Sequence, residues 1–271
     1  MPVDVGAIAD TLLAAYDDAS LLPPLSRTAS GLTTADAYAV LERIFAVRTS
    51  NGWEPVGRKI GFTNRTIWAR YGVEQPMWAH VWSNTVHMAD DDTCSLDIRK
   101  LAQPRIEPEV VFKLRADLGP TERPEDVLAA VEWLAPGFEI VQCHFPEWRF
   151  ELSECTADFG LHASLLVGTP VPVDRDNAQA IMAGLPAFEL GLSRNGSLTA
   201  RGVGANVLDG PLYALAHLTR VLPRQPQFSP LRAGEIVTTG TITDAHPIQP
   251  GERWESDYGD LGLRGLSVTF T

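Results

Sequence analysis

Residues 105–112 read Arg105-Ile106-Glu107-Pro108-Glu109-Val110-Val111-Phe112. Ile106, Val110, Val111 and Phe112 give the run a β-rich character, and a strand is expected over Ile106 to Leu114. Side chains alternate along a strand, so Glu107 and Glu109 share one face. Their neighbours are strongly apolar, which points to a largely buried strand. Two carboxylates on one buried face repel and are poorly solvated, so one takes up a proton or a cation lies between them. The competing reading is an edge strand with an acidic solvent face. Pro108 favours that reading, because proline inside a sheet belongs at an edge or a bulge.

A second acidic strand shifts the balance. Gly137-Phe138-Glu139-Ile140-Val141 puts one acid inside an apolar run expected to form a buried strand from Gly137 to Cys143. A lone buried Glu is rare unless it is paired or bound to metal. Three such acids, with no basic partner in either strand, favour a hard divalent cation. An all-oxygen set suits Mg2+ or Mn2+ better than Zn2+, which recruits His or Cys. Gly57-Arg58-Lys59-Ile60-Gly61 carries a lysine inside an expected strand, Val56 to Thr63. Such a lysine stabilises a developing oxyanion or shuttles a proton, unless it is an ordinary surface lysine. Asp158 follows Thr156-Ala157 just before an expected strand, Leu161 to Val167, where it is a cap or an acid supporting the site. Asp244 and His246, beside Thr241 to Thr243, fall in a polar loop that can touch a ligand, although loop residues of this kind are more often simply solvated.

The rest of the chain reads as a mixture of helices and short strands. Val5, Ile8, Ala9, Leu12, Leu13 and Tyr16 recur at helical spacing, and Pro23-Pro24 stops that helix. A second helix starts near Thr33-Thr34-Ala35-Asp36, runs through Arg48 and ends at Asn51-Gly52. Further helices are expected over Asn64 to Tyr71, Arg123 to Leu134, Asn177 to Met182 and Pro211 to Leu222. Further strands are expected over Phe188 to Arg194, Glu235 to Thr239 and Arg264 to Phe270. An α+β fold with a folded-up sheet follows. A boundary near residue 54 separates a helical N-terminal segment, 1–54, from the remainder, 55–271.

Composition excludes several functions. The chain has 271 residues, 45% hydrophobic and 21% charged, with a net charge of −12. This is an ordinary globular composition. It is too acidic for phosphate-backbone binding and for docking on anionic lipid, so neither nucleic acid nor a membrane is an expected partner. No apolar run approaches the ~20 residues of a membrane span. Residues 1–20 lack a basic n-region, and no signal peptide is expected. Cys94, Cys143 and Cys155 form no C-x-x-C, which suits a reduced, cytoplasmic setting. The six histidines show no metal-ligand spacing. There is no G-x-S-x-G, H-E-x-x-H or P-loop motif. Gly202-Val203-Gly204 begins like a dinucleotide fingerprint but continues to Val207 rather than glycine, and a flexible turn before the Pro211 helix is the plainer reading.

The order of motifs resembles the 2-keto-4-pentenoate hydratase family. These motifs are Gly57-Arg58-Lys59-Ile60-Gly61-Phe62-Thr63, Gly72-Val73-Glu74-Gln75-Pro76, Gln103-Pro104-Arg105-Ile106-Glu107-Pro108-Glu109, Phe138-Glu139-Ile140-Val141 and Ala157-Asp158. That family lies within the fumarylacetoacetate hydrolase superfamily and includes 4-oxalocrotonate decarboxylases. The resemblance covers nearly the whole chain. It implies a mixed β-roll core with flanking helices and a helical N-terminal segment. It implies Mg2+ or Mn2+ held by Glu107, Glu109 and Glu139, with Lys59 and Asp158 catalytic. Gly61, Trp78, Thr241 and Thr243 are the implied substrate contacts. It also implies a homo-oligomer acting on short 2-oxo or 2-hydroxydienoic acids from aromatic catabolism. Two positions depart from the pattern. Met77-Trp78-Ala79 stands where hydratases usually carry Asp-Phe-Gly, whose Asp serves proton transfer, and Phe159 stands where Asn is common. Trp78, Trp82 and Phe159 therefore suggest a bulkier, more apolar pocket. The segment Gly240 to Ala245 looks closer to the decarboxylase branch.

The chemistry common to this family needs one divalent cation. A 2-oxo acid offers it a carboxylate oxygen and a keto oxygen, and chelation polarises the C2 carbonyl. Such a site runs hydration, decarboxylation or C–C cleavage according to the residues around it. A hydratase is the first expectation and a decarboxylase of a 2-oxo-dioate the second. A hydrolase of a 1,3-diketo acid needs a His–carboxylate pair to activate water, and no such pair is assignable from sequence. Met77 also keeps a non-catalytic partner subunit open.

Overall fold

Asp4 and Thr33 start the two N-terminal helices. Asp4 accepts the Ala7 N–H, and Thr33 forms a reciprocal capping box with Asp36. The resulting helices are α1 (Val5–Asp18) and α2 (Thr34–Ser50). The computed structural model describes residues 3–25 and 31–271. Along the rest of the chain come the strands β1 (Pro55–Gly61), β2 (Met77–Trp82), β3 (Val86–Met88), β4 (Thr93–Leu96), β5 (Arg105–Leu114), β6 (Val131–Val141) and β7 (His162–Val167). They are followed by β8 (Val171–Pro172), β9 (Glu189–Arg194), β10 (Ser197–Val203), β11 (Ile236–Thr238), β12 (His246–Pro247), β13 (Arg253–Asp257) and β14 (Ser267–Phe270). The intervening helices are α3 (Trp68–Tyr71), α4 (Pro124–Ala129), α5 (Leu152–Ala157), α6 (Ala178–Ala187) and α7 (Pro211–Val221). No helix among the described residues is long and apolar enough to cross a membrane.

Among the described residues the strands form two sheets, one of nine strands and one of five, as expected for an α+β fold. The larger runs β2-β1-β11-β5-β6-β7-β3, with β12 also on β5 and β8 also on β6. The smaller runs β10-β9-β13-β14-β4. Ile106, Val110, Phe112, Leu114, Phe138 and Ile140 point to one side of the larger sheet, into the main core shared with α7 and the smaller sheet. The other side carries Val81, Val111, Ala135, Leu165 and Val167. The glutamates belong to this second side by strand alternation.

The β5–β6 ladder is continuous from Arg105↔Val141 to Lys113↔Trp133. β11 and β12 pair the other side of β5 at residues 111–113 and 105–106, and Glu109 and Glu139 are fully buried, so β5 is a central strand and the reading of an edge with an acidic solvent face is overturned. Pro108 fits because its backbone turns away from β6. Its carbonyl accepts the Ile242 N–H from the segment between β11 and β12, and on that side of β5 no described strand pairs between Ile106 and Val111.

Three expectations fail for tertiary reasons. The helix expected over Arg123 to Leu134 stops at Ala129, and a strand begins at Val131, six residues before the expected start at Gly137. Pairing Leu114↔Val131 and Phe112↔Leu134 with β5 outweighs a helical pattern that is only local. Gly202 and Val203 end β10 rather than forming a flexible turn, and a Cβ on Gly204 would lie 1.9 Å from the Leu185 carbonyl oxygen. His246 lies in β12, paired with Ile106, rather than in a loop.

The N-terminal helices pack through Ala9, Leu12, Ala37, Val40 and Ile44 onto a second apolar cluster containing Cys143, Cys155 and Phe159. Beside it, the buried Arg48 guanidinium lies 4.4 Å from the Tyr16 ring, 4.2 Å from Trp53 and 4.3 Å from Phe159.

Candidate metal centre and its cavity

The β5–β6 register sets Glu107 directly opposite Glu139, and Glu109 opposite Gly137. One carboxylate oxygen from each glutamate lies within 4.8 Å of the others. Glu109 and Glu139 are fully buried, and Glu107 is half-buried. β1 reaches this cluster through β11 and contributes Lys59, itself buried. Lys59 Nζ donates to the Gly160 carbonyl at 2.9 Å and lies 3.1 Å from Glu139 Oε2. That second contact is a buried ion pair.

Glu139 and Glu109 are held from behind. His162 Nδ1 lies 2.8 Å from Glu139 Oε1, and its Nε2 meets Thr85 Oγ1 at 2.9 Å. Glu109 Oε2 accepts the Gly240 N–H at 2.6 Å. Gly240 has φ +99°, and a Cβ there would fall 1.9 Å from Thr63 Oγ1. The Tyr258 hydroxyl enters the β5–β6 ladder, donating to the Glu109 carbonyl at 2.6 Å and accepting the Gly137 N–H at 3.1 Å.

The electrostatics describe a cluster with an excess of negative charge. Burial pushes the Glu107 carboxyl up to about 7, with Lys59 opposing and Glu139 reinforcing the shift. Burial, then repulsion from Glu139 and Glu107, pushes Glu109 well above the usual carboxylate range. Burial acts the same way on Glu139, but the Lys59 charge and the His162 hydrogen bond hold it below its ordinary value. For Lys59 burial disfavours the ammonium, yet attraction to Glu139, Glu107 and Glu109 outweighs it and raises the pKa. Lysine therefore stays charged and cannot neutralise three acids alone.

A divalent cation fits what is left over. Glu109 Oε1 is buried without a hydrogen bond, and Glu139 Oε2 has only the Lys59 ammonium, which Glu107 and Glu109 also draw on. Oxygens of this kind are costly unless a cation or proton satisfies them. The donor set is all oxygen, as Mg2+ or Mn2+ requires.

A cavity adjoins the cluster, lined at this end by Lys59, Glu107 and Thr241. Its remaining wall is mostly apolar and includes Phe62, Ile67, Tyr71, Met77, Trp148 and Phe150. Gly61 lines it as well, with Met77 so close that a Cβ on Gly61 would lie 2.5 Å from Met77 Cε.

The sequence over residues 60–266 matches the fumarylacetoacetate (FAA) hydrolase C-terminal family. The chain belongs to that family. It is 30% identical over 262 residues to the 2-hydroxyhexa-2,4-dienoate hydratase of Comamonas testosteroni, covering 96% of this chain and 95% of the relative. It is also 30% identical over 267 residues to the 4-oxalocrotonate decarboxylase of Pseudomonas sp. strain CF600, covering 97% and 96%. Among solved structures, the 4-oxalocrotonate decarboxylase of Pseudomonas putida G7, complexed with magnesium and adipate, superposes with TM-score 0.88 at 26% identity, covering 98% of this chain and 97% of that one.

Within this family fold the expected site residues divide. Glu107, Glu109, Glu139 and Lys59 converge, and Gly61 and Thr241 line the cavity. Trp78 does not line it. Its ring stacks on Tyr38 and its indole N–H donates to Gln225 at 2.7 Å, because β2 alternation turns it into the main core. Thr243 also lies off the cavity, its hydroxyl donating to the Asp244 carbonyl. Trp82 and Phe159 do not supply the expected bulk, since both lie against Arg48. The cavity is apolar all the same, through Phe62, Tyr71, Trp148 and Phe150, which sequence reading did not single out.

Asp158 pairs with His144, Oδ1 to Nδ1 at 2.6 Å, with both side chains buried. Sequence inspection offered no His–carboxylate pair, and this one lies outside the cavity lining. Asp158 also anchors the turn that presents Gly160 to Lys59, its carbonyl accepting the Leu161 N–H. His162, Gly240 and Tyr258 were missed. Each supports Glu109 or Glu139 from a remote strand or loop, so no local spacing betrays it.

Proposed function

We propose that this protein is a divalent-metal-dependent hydro-lyase that adds water to a 2-hydroxydienoic acid during breakdown of aromatic or related compounds. The convergence of Glu107, Glu109 and Glu139 beside a buried Lys59, at the head of an apolar cavity, carries this reading. The end-to-end similarity to a 2-hydroxyhexa-2,4-dienoate hydratase supports it.

In this reading the three glutamates hold Mg2+ or Mn2+, which when bound chelates the substrate's acid end and draws electron density from C2. Lys59 sets a fixed positive charge beside the 2-oxygen, oriented by Gly160 and Glu139. Gly61 and Thr241 contact the substrate at this end, and Asp158 acts through the turn it anchors. The apolar wall excludes bulk water and accepts the hydrocarbon part of the chain. Residues 55–271 form the catalytic unit, and the helical segment 1–54 buttresses it. A homo-oligomer in the cytoplasm completes the reading. Three free cysteines, two of them buried, suit that reducing setting.

A carboxy-lyase acting on a 2-oxo-dioate is the second reading, favoured by Met77 in the cavity wall and by the likeness to 4-oxalocrotonate decarboxylases. The test incubates the protein and Mg2+ with 2-hydroxypenta-2,4-dienoate, 2-hydroxyhexa-2,4-dienoate and 2-oxohex-3-enedioate. Loss of dienoate absorbance with a 4-hydroxy-2-oxo acid as product is expected. Release of CO2 from the dioate with no hydration of either dienoate would transfer the assignment to the second reading.

A further inference from the structure

Hydration of a dienoate needs a proton delivered to the far end of the carbon chain, and the glutamate cluster stands at the near end. The cavity's proton-bearing groups are few, and of them Glu107 belongs to the cluster at the near end, the Trp148 indole N–H donates to the Gln103 carbonyl and the Asn64 amide to the Thr243 carbonyl. Lys59 is bound to Gly160 and Glu139. The Thr63 hydroxyl donates to the Thr239 carbonyl at 2.8 Å, and that of Thr241 to the Thr243 carbonyl at 3.0 Å. Met77 carries no exchangeable proton. Tyr71 differs from all of these. Its hydroxyl oxygen accepts from Arg105 Nη1 at 3.0 Å and has the Arg70 guanidinium beside it as well; both neighbours are donors, so neither contact uses the phenol's own proton.

The Tyr71 ring is held in place. It stacks on Phe150, with centroids 5.7 Å apart and planes 4° from parallel, and meets Phe62 at 5.8 Å. Arg105 is fixed in turn by lying 4.0 Å over the Trp148 ring. Arg105 and Glu107 are alternate residues of β5 on one face, about 7 Å apart along the strand. The phenol and Glu107 line the same cavity, and the phenol is held by the residue two positions before Glu107 on β5, away from the Glu109–Glu139 pair.

The geometry points to Tyr71 as the proton-transfer residue at the distal carbons, with Arg105 as its positioning residue. This rests on the hydratase reading. The C4=C5 electron pair of the 2-hydroxydienoate takes the Tyr71 proton at C5, the C2=C3 pair moves to C3=C4, and the 2-hydroxyl releases its proton as C2 becomes a carbonyl. Water then adds its hydroxyl to C4 and returns a proton to the Tyr71 oxygen. The proton released from the 2-hydroxyl is taken up at C3.

The test is Tyr71→Phe in the full chain, assayed with Mg2+ on 2-hydroxypenta-2,4-dienoate, with calorimetry of Mg2+ and of oxalate as the 2-oxo-acid probe. The variant is expected to lose about 100-fold or more in kcat, the scale of general acid–base catalysis, with KM and both binding affinities nearly unchanged. A kcat equal to that of the unaltered protein overturns the assignment, and so does loss of oxalate binding in step with activity, which marks a structural role. If Tyr71→Phe does not fold, Arg105→Lys carries the test. It is expected to lower kcat with oxalate binding kept, and an unchanged kcat overturns the proposal. If the unaltered protein hydrates no dienoate, the hydratase reading itself falls and takes this assignment with it.

Discussion

Glu107 and Glu139 face each other across the β5–β6 ladder. Like charges directly opposite on adjacent strands destabilise a sheet. The arrangement persists because Lys59 lies 3.1 Å from Glu139 and burial drives Glu107 toward its neutral form. A divalent cation bound there would take the place of that proton.

Glu109→Gln removes one carboxylate while keeping its shape. Mg2+ affinity is expected to fall at least 10-fold, the scale on which metal-site contacts act, and activity to be lost. The fold is expected to survive, because Glu109 takes up a proton readily when no cation is present. Calorimetry and thermal unfolding check this, and unchanged Mg2+ affinity would remove Glu109 from the ligand set.

Lys59→Met leaves Glu139 buried with its ion-pair partner gone. Breaking a buried pair from one side costs about 3–5 kcal/mol. A clear fall in the urea midpoint is expected, together with a turnover loss larger than the change in substrate binding. Turnover equal to that of the parent would take Lys59 out of the mechanism.

His162→Gln tests the support behind Glu139, whose Oε1 it meets at 2.8 Å. Loss of such a partner typically weakens metal binding 10–100-fold. A drop in Mg2+ affinity of about that size is expected, with the secondary structure unchanged by circular dichroism.

Stability should depend on pH with a sign set by Glu107 and Glu109. Both carboxyls are raised above their unfolded values, Glu107 to about 7. Each favours the folded state below its unfolded pKa and loses that advantage as pH rises through its folded pKa. Glu139 is lowered, so its contribution is already complete near neutrality. Metal-free protein is therefore expected to melt a few degrees lower at pH 8 than at pH 6, on a scale of about 2–4 °C per kcal/mol. Mg2+ is expected to reverse the trend, binding more tightly at the higher pH with release of protons. A melting temperature independent of pH across this range would contradict the assignment.

Legibility in the sequence followed the range of the interaction. Helices α1 and α2 were readable because Asp4, the Thr33–Asp36 box and the apolar spacing all act within a few residues. The start of β6 was not, since Val131 to Leu134 became strand only by pairing with Leu114 and Phe112 on β5. The same distinction governs the site. Glu107 and Glu109 announced themselves by spacing, whereas His162, Gly240 and Tyr258 approach from separate parts of the chain. Trp78 looked like a pocket residue because it adjoins Met77, and strand alternation turned it to the opposite side.

The amino-acid sequence alone determined the acids, their strand context and the need for a compensating positive charge, because an unpaired carboxylate among Ile, Val and Phe is unfavourable in any fold. Tertiary structure decided what surrounds them. Only the order of strands in the sheet brings Lys59 to Glu139, and only the packing of α3 sets Tyr71 beside Arg105. Those approaches depend on register and on the packing of distant segments, which short-range propensity does not encode.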